Sequence, residues 1–453
     1  MANQNILTYN AKISEIEKNY FSPVAVLPSS GQTISSLYCF LSRINPWSSE
    51  SNPDIPLQTT SYLKNVYKNI FVIKKIQSSD ISGVIERKDW VSGTIYDYYR
   101  DDIDMFQRDV NGYLMLNFYI RNQYDQIFKC LWNAKGTPSI NQPYFQPGTY
   151  GTNNIYQGAD GYKWKYIYTI DIGSKTKFMD TLWMPVPIVE NTLDPLSTAS
   201  GCGDIEVINV TNAGGTGYFA TNTTISIVGD GTGASANVTT LGGAIQDFVV
   251  SNPGTNYSYA NVIISSSSGS GANISAPISP IGGHGYDSIS ELGCNHVMLI
   301  SSFNGSEGGY IPTDIDYRQV GIINNPLALS TYPNFANASI YSTTTDFVVV
   351  PGSGKFTPDE ILYQGDTLAA ATFTASVLSF DEITNTVKLI NITGNPVKGS
   401  LIYGNTSLTA RVLLLIKPLD FITFSGKINY IENREVVQRS SDGIEQFKFV
   451  LQY

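Results

Sequence analysis

Residues 158–170 read Gly-Ala-Asp-Gly-Tyr-Lys-Trp-Lys-Tyr-Ile-Tyr-Thr-Ile. Tyr162, Trp164, Tyr166 and Tyr168 fall on alternate positions, with Lys163 and Lys165 between them. Side chains of a strand repeat every two residues, so the rings and Ile170 share one face. Lys163, Lys165, Ile167 and Thr169 take the other. A nucleic-acid platform needs rings and cations on one accessible surface. Here they oppose each other. The pattern therefore predicts a strand launched from the Asp160-Gly161 turn, with an aromatic core side and a partly wet outer side.

The same period marks further strands at 113–120, 126–132, 346–350 and 447–453. Asn111-Gly112, Asp160-Gly161, Asp230-Gly231 and Asp442-Gly443 punctuate the chain as turns. Helical periodicity is confined to two short stretches. One is 10–20, with Ile13 and Ile16 on its apolar side. The other is 60–75, where Tyr62, Leu63, Val66, Tyr67 and Ile70 follow the i, i+3, i+4 rule and Thr59 or Thr60 caps the start. The expected class is mainly β, a layered sandwich with short helical excursions.

Composition agrees. The 453 residues suit two to four domains, and 42% apolar content supplies a sizeable core. Only 15% of residues are charged, against about a quarter in typical domains. Ser, Thr, Asn, Gly and 29 tyrosines stand in their place. Such a chain buries polar surface against partners, because Tyr offers area while keeping one polar tip. The net charge of −10 repels phosphate, and no basic run exceeds pairs such as Lys74-Lys75. Nucleic acid is therefore not an expected partner.

Cys39, Cys130, Cys202 and Cys294 are widely separated and form no C-x-x-C pair, which argues against zinc. Two bridges are possible on count alone, but reduced, buried thiols are expected. The opening Met-Ala-Asn-Gln-Asn-Ile-Leu lacks a basic n-region and an apolar core, so no signal peptide is read. Apolar runs such as 412–416 are too short to span a bilayer. A soluble protein made in a reducing cytoplasm, without a membrane partner, is expected.

Composition shifts near residue 201. From there to 283 the chain is rich in Gly, Ser, Thr, Asn and Ala and repeats internally. Residues 205–218 align with 245–257, and 231–238 with 269–276. A second doublet aligns 356–372 with 397–412. The expected plan is an N-terminal arm with a short helix (1–30), then a β-sandwich host in three pieces (31–200, 284–345 and 418–453). Two small β modules, 201–283 and 346–417, are inserted between the pieces.

Each candidate chemistry has a plainer reading. The strings at 229–234 and 268–273 are glycine-rich, but no Lys and no helical pattern follows, so they read as structural turns rather than phosphate loops. Asp101, Asp102, Asp104 and Asp109 miss the calcium-loop spacing. Counted from Asp102, the sixth residue is Gln107 and the twelfth Tyr113, so a solvated loop is expected. His284 and His296 are the only histidines. His284, in Gly-Gly-His-Gly-Tyr-Asp, reads as a loop or hinge residue, since no nucleophile elbow is present. Asp314/Asp316 and Asp359/Glu360 are paired carboxylates, but glycoside hydrolysis depends on a separation that sequence cannot supply. No residue is assigned as catalytic, cofactor-binding or metal-ligating, and no cofactor is expected.

Five stretches together resemble a known family. They are 40–47 (Phe-Leu-Ser-Arg-Ile-Asn-Pro-Trp), 84–90 (Val-Ile-Glu-Arg-Lys-Asp-Trp), 160–170, 316–328 (Asp-Tyr-Arg-Gln-Val-Gly-Ile-Ile-Asn-Asn-Pro-Leu-Ala) and 425–449. In that order they resemble the dimeric baseplate wedge subunit of T-even-type contractile phage tails. The resemblance implies a mostly β, non-enzymatic structural bridge within each wedge. It implies a homodimer whose partners are the other wedge proteins, assembled in the infected cell's cytoplasm and carried in the virion's tail baseplate. The chain departs from that pattern at 201–283 and about 346–418, the two repeat modules. These resemble decorating domains of virion proteins, with a tail fibre or peripheral baseplate protein as candidate contacts. The alternative function is a carbohydrate-binding tail adhesin using the repeat modules.

Overall fold

The computed structural model describes residues 36–42, 46–147, 149, 154–187 and 203–452. The expected helix at 10–20 lies outside them. Strands hold 46% of residues and helices 8%, so the chain is mainly β. The described residues divide into two compact units, one of 82–298 with 450–452, the other of 36–81 with 299–449. Segments expected to form one host contribute to both units.

The first unit is built on the 158–170 stretch. Tyr162–Thr169 is the third strand of an antiparallel sheet in the order Tyr119–Arg121, Gln126–Asn133, Tyr162–Thr169, Ile155–Gln157. Asp160 sets the turn before it. One carboxylate oxygen accepts from the Ile140 and Asn141 amides at 2.8 and 2.9 Å, the other from Tyr162 at 3.2 Å. Tyr162, Trp164 and Tyr166 pack with Tyr96, Ile120, Phe128 and Cys130 in one core. The Tyr162 and Trp164 rings stack at 5.5 Å, and Tyr96 meets Trp164 edge-on at 5.3 Å. These three rings thus face the interior, and aromatic pairs of this geometry add to plain area burial. Tyr168 and Ile170, expected on the same face, instead join Ile167 in a second core, because the pairing shifts register between Ile127 and Phe128 and the alternation ends at Tyr166.

The expected strand at 113–120 survives only as Tyr119–Arg121. Upstream, Asp109 accepts from the Asn111 and Tyr113 amides, both at 2.9 Å, which closes a turn in place of a ladder.

The repeat module of this unit has six strands and a core of its own, with Ile205, Ile208, Val210, Tyr218, Ile245, Phe248 and Tyr257 buried. Pairing crosses between the repeats. Thr223–Gly229 pairs with Ala260–Ser266, Asn209–Thr216 with Ser270–Ser275, and Ser235–Leu241 with Ala244–Asn252, all antiparallel. Exchanging the repeats maps this pattern onto itself, so the module is pseudo-twofold. The glycine strings accept the equivalent tyrosines. A Cβ on Gly231 would lie 2.4 Å from the Tyr257 ring, and one on Gly269 2.1 Å from the Tyr218 ring.

In the second unit, an antiparallel sheet runs Ile340–Ser342, Ile70–Lys75, Leu37–Ser42, Ile315–Asn324, Lys427–Arg439. Thr59 caps the Thr60–Asn69 helix, its side chain accepting from Tyr62. The helix was expected to reach residue 75. It stops at Asn69 because Ile70-Phe71-Val72-Ile73, buried throughout, belongs to the sheet. Such a run fits a strand covered on both faces.

Residues Thr345–Lys417 form a closed six-stranded barrel around Phe347, Leu362, Phe373, Val387, Leu389, Ile402 and Leu413. Its two repeats meet where Tyr363 pairs Tyr403, with the rings 5.5 Å apart.

Candidate functional site: a buried ionic seam

The reverse face of the aromatic strand is where the structure corrects the sequence reading. Lys163 and Lys165 are buried, not partly wet, and so is Lys129, which stands opposite Lys165 on the neighbouring strand. The repeat module contacts Lys163 and Lys165, while Tyr99, His284 and Glu291 enclose Lys129, and each ammonium has a carboxylate. Lys163 lies 2.7 Å from Asp247, Lys165 2.7 Å from Glu206, and Lys129 3.0 Å from Glu291. Backbone contacts extend the seam. Lys163 donates to the Ile208 carbonyl at 3.2 Å, and the Asn209 amide donates to the Leu131 carbonyl at 3.2 Å.

His284 lies in a loop, as expected, but its ring is buried in this seam rather than free as a hinge. Its Nδ1 is 2.6 Å from a Glu291 oxygen and 3.3 Å from Lys129 Nζ. Tyr99 closes the cluster, with its ring 3.9 Å from Lys129 Nζ and edge-on to His284 at 4.7 Å. Burial, reinforced by Lys129, depresses the His284 pKa and keeps the imidazole neutral at pH 7. The short contact therefore assigns the proton to Nδ1, which donates to Glu291. Burial alone would raise the Glu291 carboxyl, but Lys129 and His284 outweigh it and hold it down to about 2. Burial likewise lowers Lys129, opposed by Glu291. The other oxygen of Glu291 accepts from the Gly285 amide at 2.5 Å. This set of groups fixes orientation. The ammonium fills the centre that a metal would need, and among the described residues no three His, Cys, Asp or Glu side chains converge.

The remaining candidates are also engaged structurally. The other histidine, His296, packs on Trp183 at 4.4 Å and is pushed by burial and Arg108 to about 4. Asp102 pairs with Arg100 at 2.7 Å, and the Asp104 side chain accepts from Phe106 N at 3.0 Å. Glu360 is buried and accepts from the amides of Thr357 and Ser407 at 2.7 and 2.9 Å, pinning the loop of the other barrel repeat. Asp316 pairs with Arg318 at 2.8 Å. Cys39, Cys130 and Cys294 are free and buried, with Cys39 and Cys294 pushed by burial up to about 12. Cys202 lies outside the described residues.

Sequence reasoning missed Glu206, Asp247 and Glu291 as partners. One signal was present. The module from 201 to 283 carries four acidic residues, Asp204, Glu206, Asp230 and Asp247, and no Lys or Arg. A uniformly acidic module suits a face of alternate lysines. No protein-family model matches the chain, and no curated protein does. No helix among the described residues is long and apolar enough to cross a membrane.

Proposed function

We propose that the chain is a structural subunit of a contractile-tail baseplate wedge, a homodimeric bridge between other wedge proteins that performs no catalysis. The observation that carries this reading is where the five family-like stretches fall. Residues 40–42 lie in Leu37–Ser42, 84–86 in Ile81–Glu86, and 162–169 form the aromatic strand. Residues 316–324 lie in Ile315–Asn324, and 427–439 and 444–449 in the last two strands. They supply strands to both units, while neither the module nor the barrel contains one. A frame of family-like strands with two appended modules suits an assembly subunit whose peripheral contacts vary.

The buried charges support the same reading. A charge desolvated and paired holds geometry and register more than it adds stability. Here two such pairs, Lys163 with Asp247 and Lys165 with Glu206, hold the module against the sheet, and Lys129 with Glu291 ties the segment that follows the module to the same face. Binding is tested by co-expressing the chain with the other tail proteins of its particle and purifying it through a tag. A stable complex with at least one wedge protein is expected. A chain that is strictly monomeric and retains none of them contradicts the proposal.

A further inference from the structure

A groove of about 720 Å³ lies within the first unit, between the loop at 98–102 and the repeat module. That volume falls within the range of small-molecule sites. We propose that it binds a short neutral saccharide.

The walls are fixed to each other. Tyr99 donates its hydroxyl to the Ile278 carbonyl at 3.0 Å, and Asp101 accepts from the Ile278 amide at 3.1 Å. The Tyr98 ring rests edge-on against Trp132 at 5.0 Å. Across the groove, Asp230 accepts from the Ser258 and Tyr259 amides at 2.8 and 3.2 Å, which anchors the backbone that presents Tyr259. Tyr259 itself is 57% exposed. The site is therefore formed before any ligand arrives, which lowers the ordering cost of binding.

The lining has the mixture that sugars require. A pyranose presents an apolar C–H face and a rim of hydroxyls. Tyr98 and Tyr259 offer ring faces with polar tips. Among the described residues, neither hydroxyl nor the Asn261 side-chain amide has a hydrogen-bond partner. Asp101 and Asp102 add carboxylate acceptors on one wall, and Arg100 is paired with Asp102 at 2.7 Å. With a net charge of −10, this lining selects against sialylated, sulfated or phosphorylated sugars. Neutral hydroxyl-rich rings remain.

The test is saturation-transfer NMR and calorimetry of the full chain. The probes are neutral di- to tetrasaccharides of glucose, galactose and N-acetylglucosamine. At least one is expected to bind, and Tyr259→Ala and Asn261→Ala are each expected to weaken it by about tenfold without shifting the melting temperature. Tyr310→Ala, an exposed tyrosine of the second unit, serves as the control and leaves binding unchanged. No binding at millimolar saccharide overturns the proposal, as does a saccharide held equally well by both groove variants. Either result leaves the wedge-subunit reading untouched, because its test is complex formation with other tail proteins.

Discussion

Lys165 of the aromatic strand and Glu206 of the repeat module meet at 2.7 Å, with both side chains almost wholly removed from water. Removing one partner strands the other as a buried, uncompensated charge. Lys165→Met or Glu206→Gln alone should cost about 3–5 kcal/mol, whereas Lys165→Met with Glu206→Leu should recover most of that loss. Urea titration followed by tryptophan fluorescence reads both. Single variants within about 1 kcal/mol of the parent, outside the range for a buried pair, would show the contact to be solvated.

The aromatic face makes a different demand. Trp164 is fully buried against Tyr96 and Tyr162. Trp164→Ala should cost about 3–5 kcal/mol, the usual range for large aromatic truncations in cores. An unchanged melting temperature would sink the buried-strand assignment and reopen the idea of an accessible platform.

Acid should weaken the fold in two stages. In the unfolded chain the histidines take up protons as pH falls below about 6.5. In the folded chain burial holds His284 neutral, and His296 is held down to about 4. The unfolded state then binds more protons, so stability falls from about pH 6.5 downward. Glu291, held at about 2, adds a further loss below about pH 4.5, where unfolded carboxylates protonate and it does not. Melting temperature against pH checks this. His296→Phe should flatten the curve between about 6.5 and 4, and an unaltered slope would assign the loss to other groups.

The two glycine strings should tolerate no side chain where they receive a tyrosine. Gly231→Ala and Gly269→Ala would drive a methyl into the Tyr257 and Tyr218 rings respectively. Each should destabilise the first unit by about 1–3 kcal/mol through overpacking. Melting curves matching the parent would mean that the rings move aside freely.

The inward half of this fold was legible because a period of two leaves few options for Tyr162, Trp164 and Tyr166. The other half was not. Whether Lys163 and Lys165 meet water depends on Asp247 and Glu206, which lie 84 and 41 positions away in sequence. No local pattern carries that information, and the all-acidic charge of the module was only a hint. The end of the helix at Asn69 was obscured for a related reason. Ile70 continues the helical spacing of Val66, yet the β-branched run it opens is claimed by strands on either side. His284 looked like a hinge because its glycine neighbours are visible in sequence while Lys129, 155 positions away, is not.

The most direct test of the proposed role is a density map of the assembled tail into which the chain is built. The account predicts paired copies in every baseplate wedge, related by a local twofold and contacting the other wedge proteins. Absence of the chain from the baseplate, or its presence only as isolated copies at fibre tips, would contradict it.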